Sequence, residues 1–224
     1  MACLERARAV GVEQILIPGL RPGQWSVGAA LAATHGLLHG VGTHPHHLTT
    51  AGAASATPKD PGGAVAIGEC GLDGAISVPM DVQIQVLEAH LALARDAGLP
   101  VILHCWRAHP QLLAVLGKWA PVRGVVHSYS GGADRVPAYL AFGLHLSFAG
   151  PLTWEGARKP VEALRRVPTD RLLLETDAPD QCPRPARGRN EPAFLPFVVE
   201  AAERFRGEPL REQLARNAQA LGWA

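Results

Sequence analysis

Short apolar runs alternate along this chain with stretches of helical periodicity, and this alternation constrains the fold more than any other feature. The runs are bounded by Gly or Pro and lack polar–apolar alternation, which is typical of strands buried on both faces of a parallel sheet. Seven strands are predicted, at residues 14–20, 37–44, 64–70, 101–106, 124–129, 144–150 and 171–177. The repeated strand–helix order predicts an α/β TIM-type (β/α) barrel in which seven of the eight strands are readable.

The helical stretches complete this pattern. Residues 80–97 have the clearest helical spacing, and two last helices are predicted at roughly 193–206 and 208–221. The chain also opens in a short helix that Gly11 ends. The inward stripe of this helix is predicted to be Leu4, Ala7 and Val10. Because the first apolar run follows a helix, the strand that is not readable is predicted to be the first.

Length and composition fit one domain over residues 1–224. A chain of 224 residues with 47% hydrophobic content can bury a large core. The net charge of +1 argues against a generally cationic, DNA-coating protein. The sequence contains neither an apolar stretch of about 20 residues nor a signal-peptide pattern, so a cytoplasmic protein with no membrane partner is expected. Its four cysteines lack CxxC spacing, which argues against a disulfide framework or a structural zinc site.

Four predicted strands end in a side chain of a metal-binding type. These side chains are Glu69, His104, His127 and Asp177. One strand, loop, helix and return loop need roughly 25–35 residues, so successive members lie one or two β/α units apart. The carboxyl ends of parallel strands meet at one side of a barrel, where active sites of this fold are built. We therefore expect the four side chains to converge on one site, and residues alone support a metal-dependent hydrolase.

Seven motifs, in chain order, carry a more specific resemblance. They are GTHPHH, GECGLD, LPVILHCWRAH, GVVHSYSGG, LSFAGPLT, LLLETDAP and RGRNEP. The set resembles that of the TatD family of metal-dependent hydrolases, amidohydrolase-like TIM barrels whose characterised members are mostly deoxyribonucleases. The resemblance covers essentially the whole chain and implies hydrolysis of DNA phosphodiester bonds.

The resemblance also implies roles for single residues. Glu69 matches a carboxylate that bridges two divalent ions, and His104 and His127 match imidazole ligands of the second ion. Asp177 matches an aspartate near the first ion that helps to orient the attacking water, so Asp177 and Glu69 are the implied catalytic pair. Three further residues are implied to contact the substrate: His44, His46 and Arg107. The ligand types suit Mg²⁺, Mn²⁺ or Zn²⁺.

The chain departs from the family pattern at its start. The family opens with a strand carrying His-x-His, which supplies two ligands of the first ion, and residues 1–11 contain no histidine. One explanation is a start placed too late or a truncated gene. Another is a naturally short chain that holds one ion through Glu69, His104 and His127. A third is a binding protein with impaired catalysis, and hydrolysis of a small ester, lactone or amide by the same ligands is a further alternative.

Overall fold

The computed structural model of the protein describes residues 2–48 and 56–224. Within this part of the chain, seven strands form one parallel sheet in which neighbours in space are neighbours in sequence. The strands are β1 (Leu16–Ile17), β2 (Leu38–Val41), β3 (Ala66–Asp73), β4 (Val101–Trp106), β5 (Gly124–Val126), β6 (Leu144–Phe148) and β7 (Leu172–Leu174). Each strand lies within or overlaps one predicted run. The predicted α/β barrel fold with seven readable strands is confirmed.

Helices connect the strands in the order that the sequence predicts. They are α1 (Ala2–Ala9), α2 (Pro22–His35), α3 (Met80–Ala97), α4 (His109–Trp119), α5 (Val136–Ala141), α6 (Arg158–Arg166), α7 (Leu195–Arg206) and α8 (Arg211–Leu221). The observed α3 has the predicted bounds, and Gly98 ends it with a φ of 66°. None of the helices in the described ranges combines the length with the apolar character needed to span a bilayer.

The predicted stripe of α1 is only partly correct. Ala7 is buried, whereas Val10 keeps 44% of its surface exposed. The helix ends at Ala9, and Val10 belongs to a turn in which its backbone N–H donates to the carbonyl of Ala7. Outside the helix, Val10 no longer follows helical spacing, so its side chain leaves the inward face.

The two faces of the strands bury different apolar clusters. Leu103 and Cys105 of β4 belong to the large cluster that also contains helix residues such as Leu87 and Leu112. Ile102 belongs to a second cluster that strand residues such as Val125 share. Because side chains alternate along a strand, residues 102, 104 and 106 occupy one face of β4. His104 therefore lies on the face opposite the helix-packed one.

The backbones of β3 and β4 approach each other very closely. Gly71 has a φ of 149°, and a Cβ atom there would lie 2.0 Å from the carbonyl oxygen of His104. Only glycine fits this conformation and this spacing. The contact holds the residues around Glu69 in a fixed position relative to His104.

Candidate active site

The residues predicted to bind metal lie along the C-terminal edge of the sheet. Glu69 is in β3, His104 is in β4, His127 directly follows β5 and Asp177 follows β7. Since parallel strands end at the same edge, residues distant in sequence meet there.

Glu69, His127 and Asp177 form a compact group. One ligand atom of each residue lies within 4.8 Å of those of the other two. Nε2 of His127 is 3.5 Å from Oε2 of Glu69. Among the described residues this nitrogen has no hydrogen-bond partner, although it is buried. Buried polar atoms are almost always partnered, so the nitrogen is available to a ligand.

Glu175, to which sequence analysis gives no role, holds the other nitrogen of His127. Its Oε1 lies 3.3 Å from Nδ1 of His127 and accepts the backbone N–H of Ser128 at 2.6 Å, while its Oε2 accepts the hydroxyl of Ser147 at 2.8 Å. Burial by itself would raise the pKa of Glu175, but the hydrogen bond from His127 and the other two donors lower it. A carboxylate at Nδ1 orients the ring and directs Nε2 toward Glu69.

Asp177 is oriented by the side-chain amide of Gln181. Nε2 of Gln181 donates to Oδ2 of Asp177, and Oε1 of Gln181 accepts the hydroxyl of Ser128 at 2.9 Å. Burial raises the pKa of Asp177 to about 6. The amide of Gln181 donates only to Oδ2. The other oxygen, Oδ1, faces His127 and lies 4.0 Å from Nδ1 of its ring.

His104 lies next to the compact group, with its Nε2 directed at Asp73. That nitrogen is 3.1 Å from Oδ2 of Asp73, and Nε2 of His46 is 2.9 Å from the same oxygen. The ring centroids of His104 and His127 are 5.8 Å apart. Burial lowers the pKa of His104 to about 4, so the imidazole is neutral at pH 7, as a metal ligand must be.

The residues predicted to contact substrate surround these ligands. Nε2 of His44 is 3.8 Å from Oε2 of Glu69, and burial lowers the pKa of His44 to about 2. The side chain of His46 is 54% exposed. Arg107 is exposed directly after β4. His44 is thus next to the carboxylate, whereas His46 and Arg107 lie at the rim.

Three residues at the mouth of the site, the C-terminal edge of the sheet, adopt left-handed backbone conformations. The φ angles are 50° at Arg107, 42° at Ser128 and 58° at Asp177. Such conformations cost non-glycine residues of order 1–3 kcal/mol each and tend to occur at functional sites. Each residue follows the end of a strand, so the unusual turn redirects the chain where the site is built.

The spacing of Glu69 and His127 fits a divalent cation, and a ligand atom of Asp177 lies within 4.8 Å of both. Two ligands that are each ~2.1 Å from one ion lie about 3–3.5 Å apart, which matches the 3.5 Å between Glu69 and His127. Burial lowers the pKa of His127, but the carboxylates of Glu69 and Glu175 outweigh it and raise the pKa to about 10. The buried acidic surroundings thus favour positive charge, and a cation would replace the proton at Nε2 of His127.

Comparison with known proteins decides the family. A family model described as "TatD related DNase" matches residues 2–221. The chain belongs to the TatD family. It is therefore a hydrolase of a metal-dependent nuclease family, as the ordered motifs predict.

Curated relatives and solved structures of TatD proteins agree over almost the full chain. The 3'-5' ssDNA/RNA exonuclease TatD of Erwinia amylovora is 37% identical over 237 residues, covering 97% of this chain and 91% of the relative. Its counterpart in Erwinia billingiae is 39% identical, with 97% and 90% covered. The crystal structure of YJJV, a TatD homolog from Escherichia coli K12, is 30% identical with a TM-score of 0.89, covering 98% of this chain and 90% of that one.

Sequence reasoning misses two residues of this site, for different reasons. Glu175 lies two residues before Asp177, and alternate residues of a strand share a face, so strand spacing carried a usable signal for it. Gln181 lies in a loop after β7, where no periodicity applies, and its contact with Asp177 depends on how that loop folds back.

Proposed function

We propose that this chain is a divalent-metal-dependent nuclease that hydrolyses phosphodiester bonds in single-stranded DNA or RNA. The observation that carries the proposal is the compact group of Glu69, His127 and Asp177 in a chain of the TatD family. The relatives are 3'-5' ssDNA/RNA exonucleases, and this substrate class is proposed for the chain by similarity.

The proposed metal ligands are Glu69, His127 and Asp177, with His104 as a further ligand from the adjoining strand. A divalent cation bound there would supply Lewis acidity, which polarises a phosphoryl oxygen and stabilises charge on the phosphate.

The chain's own residues would orient the reactants and hold a proton. Asp177, whose pKa is raised to about 6, is suited to accept a proton from an attacking water. Gln181 would keep the Asp177 carboxylate in one orientation. Arg107 and His46, at the rim, are proposed to contact phosphate oxygens, and His44 would contact the substrate beside Glu69.

A nuclease assay with a matched pair of aspartate variants tests this proposal. Wild-type protein stripped with EDTA is supplied with Mn²⁺ or Mg²⁺ and end-labelled single-stranded DNA, single-stranded RNA or duplex DNA. Asp177→Asn is expected to lower the rate by about 10²–10⁴-fold. Asp180→Asn is the control, because Asp180 is an exposed acid in the same loop and should keep most of the activity.

The outcome separates the alternatives. Metal-dependent release of nucleotides that Asp177→Asn abolishes supports the nuclease. Turnover of a small ester or lactone without any cleavage of nucleic acid would instead indicate the alternative hydrolase. Nucleic-acid binding without turnover would indicate a binding protein, and an unchanged rate in Asp177→Asn would remove Asp177 from the mechanism.

A further inference from the structure

Trp106 is an exposed aromatic residue at the mouth of the sheet. It is the last residue of β4 and keeps 44% of its surface exposed. Three other tryptophans, Trp25, Trp119 and Trp223, pack against apolar clusters of the described core. Trp154 is similarly exposed, but its indole N–H donates to the carbonyl of Cys182. Burial in the core therefore does not account for the indole of Trp106.

Strand geometry places Trp106 just above the proposed ligands. Trp106 and His104 share one face of β4, since they are two residues apart, and this separation is about 6.6 Å along a strand. Trp106 is also paired in register with Asp73 of β3, whose carboxylate contacts His104. If the proposed function holds, an indole at this level would border the phosphate that meets His104.

The backbone around Trp106 is firmly held. Its carbonyl accepts the backbone N–H of Gly74 at 2.8 Å. A Cβ atom on Gly74 would lie 2.5 Å from the carbonyl oxygen of Arg107, so the chain segments following β3 and β4 are in close contact. Because the backbone is already fixed, only the side-chain torsions of Trp106 would lose conformational entropy when a ligand stacks on the ring.

Arg107 gives the indole a charged neighbour. Its guanidinium carbon is 5.7 Å from the centroid of the Trp106 ring, within the range of a cation–π contact. Single-stranded nucleic acids are commonly held by an aromatic ring that stacks on a base and a cation that meets the adjoining phosphate. Trp106 and Arg107 supply both groups from consecutive residues.

We propose that Trp106 is a nucleobase-binding platform, on which one base of a single-stranded substrate stacks while Arg107 contacts the neighbouring phosphate. The proposal rests on the proposed nuclease function and adds the subsite that recognises the base. Stacking on an aromatic ring is tolerant of sequence because every base has a π-face. The platform is therefore expected to favour nucleic acids with unpaired bases and to show little preference among the bases.

Kinetics on normal and abasic oligonucleotides test the platform. The substrates are a single-stranded oligonucleotide and a copy in which abasic nucleotides replace those at the cleaved end. Trp106→Leu is expected to raise KM for the normal strand about tenfold, within the range that stacking of one base supplies, and to change kcat little. On the abasic strand Trp106→Leu and wild type should have equal KM values. Trp106→Phe, which keeps an aromatic ring, should recover most of the affinity.

Trp119 provides a matched control. It ends α4, and the guanidinium carbon of Arg95 is 5.1 Å from its ring centroid. It borders a cavity lined by Val101, the first residue of β4, so it lies at the opposite end of that strand from Trp106. Trp119→Leu removes a similar Trp–Arg pair away from the mouth and should leave KM for both strands unchanged.

A binding measurement without metal separates failure of the platform from failure of the nuclease. Fluorescence anisotropy of labelled oligonucleotides in EDTA should give a Kd about tenfold weaker for Trp106→Leu than for wild type on the normal strand, and equal values on the abasic strand. Absence of turnover in the wild type would refute the proposed function, while this binding comparison would still decide the role of Trp106. Equal losses on both strands, no loss on either, or no binding by wild type would overturn the platform.

Discussion

Charge compensation around His127 is the main feature of the site at the scale of single residues. Its two nitrogens face different carboxylates, Glu69 at 3.5 Å and Glu175 at 3.3 Å. The two acids have different roles in our account, because Glu69 would share the cation with Nε2 whereas Glu175 holds Nδ1. Removing Glu175 should therefore weaken metal binding without removing a ligand.

Glu175→Gln is expected to lower the affinity for Mn²⁺ by roughly 10–100-fold, the usual effect of removing a carboxylate behind a histidine ligand. Isothermal titration of EDTA-stripped protein measures this affinity. Ser147→Ala is the control, since it removes only one of the hydrogen bonds that Glu175 accepts and should have a smaller effect. Equal affinities in wild type and Glu175→Gln would contradict the role assigned to Glu175.

His90 is a buried imidazole with a structural role. Its Nε2 accepts the backbone N–H of Thr43, which precedes His44, and its Nδ1 lies 2.7 Å from the carbonyl of Val86. Burial lowers the pKa of His90 to about 4. The folded-state pKa is below the ordinary value of 6.5, so the unfolded chain binds more protons between pH 6.5 and 4. The stability contributed by neutral His90 is present above pH 6.5 and is lost as the pH falls toward 4.

His90→Gln keeps an acceptor for Thr43 but does not titrate. Wild type should therefore lose about 2 kcal/mol more stability than His90→Gln when the pH falls from 7 to 5, because one pKa unit corresponds to roughly 1.4 kcal/mol. Chemical denaturation of both proteins at the two pH values gives the comparison, in which other histidines contribute equally. Identical pH dependence would show that His90 does not titrate as proposed.

Residue types and strand-end positions were enough to predict Glu69, His127 and Asp177 as neighbours. The direction of a side chain was harder to predict, as His104 illustrates. Its Nε2 faces Asp73, and this contact depends on the register between β3 and β4, which the sequence does not specify. His104 as a metal ligand therefore stays a prediction, and so do the substrate contacts of His44, His46 and Arg107.

At the scale of elements, the close approach of β3 and β4 is the contact that fixes the site. Gly71→Ala would place a methyl group 2.0 Å from the carbonyl oxygen of His104, at a φ of 149°. The strands would have to separate, so we expect a loss of at least ~3 kcal/mol or failure to fold. Gly63→Ala is the matched control because Gly63 also has a positive φ, of 81°, but no atom of residues 2–48 and 56–224 lies within 4 Å of an added Cβ.

The Gly63→Ala variant should lose only about 1 kcal/mol, the cost of the backbone conformation alone. Urea denaturation measures both variants against wild type. Similar losses in the two variants would mean that backbone strain, and not the contact between β3 and β4, sets the cost at Gly71.

Strand existence was predictable, whereas strand ends were not. The apolar run predicts the last strand over residues 171–177, but β7 covers only Leu172–Leu174. Glu175 still donates its backbone N–H to the carbonyl of Phe148 at 3.0 Å, whereas Asp177 turns the chain with a φ of 58°. Apolar periodicity reports burial along a strand and carries no information on where the backbone pairing ends.

At the scale of the whole molecule, α1 joins the N-terminal segment to the turn that precedes α7. It packs against the turn at Pro192–Phe194, and Arg6 donates to Glu191 at 2.8 Å. That ion pair is exposed, so it contributes little. The buried contact is Ala7, which is 1% exposed, and the docking of α1 should depend on it.

Ala7→Glu buries a carboxylate without a partner and is expected to cost about 3 kcal/mol or more. Arg8→Glu, which introduces the same side chain at the exposed neighbouring position, should have a small effect. Thermal midpoints of both variants provide the test. A midpoint equal to that of wild type in Ala7→Glu would indicate that the docking of α1 contributes little to stability.

The strand order could be predicted for two reasons. Each β/α unit shows a short apolar run followed by helical spacing, and successive parallel strands usually lie side by side. The packing of α1 against residues 192–194 could not be predicted. It joins two segments that are far apart in sequence, and local periodicity gives no information on such contacts. The outward position of Val10 has the same origin, because it depends on where the docked helix ends.

Titration of EDTA-stripped protein with Mn²⁺, comparing wild type with Glu69→Gln, tests the central claim most directly. If Glu69, His127 and Asp177 form the metal centre, wild type binds at least one ion per chain. Glu69→Gln, with nearly the same side-chain volume, loses binding at that centre. A wild type that binds no ion, or a Glu69→Gln variant that binds Mn²⁺ with unchanged affinity and stoichiometry, would contradict the account.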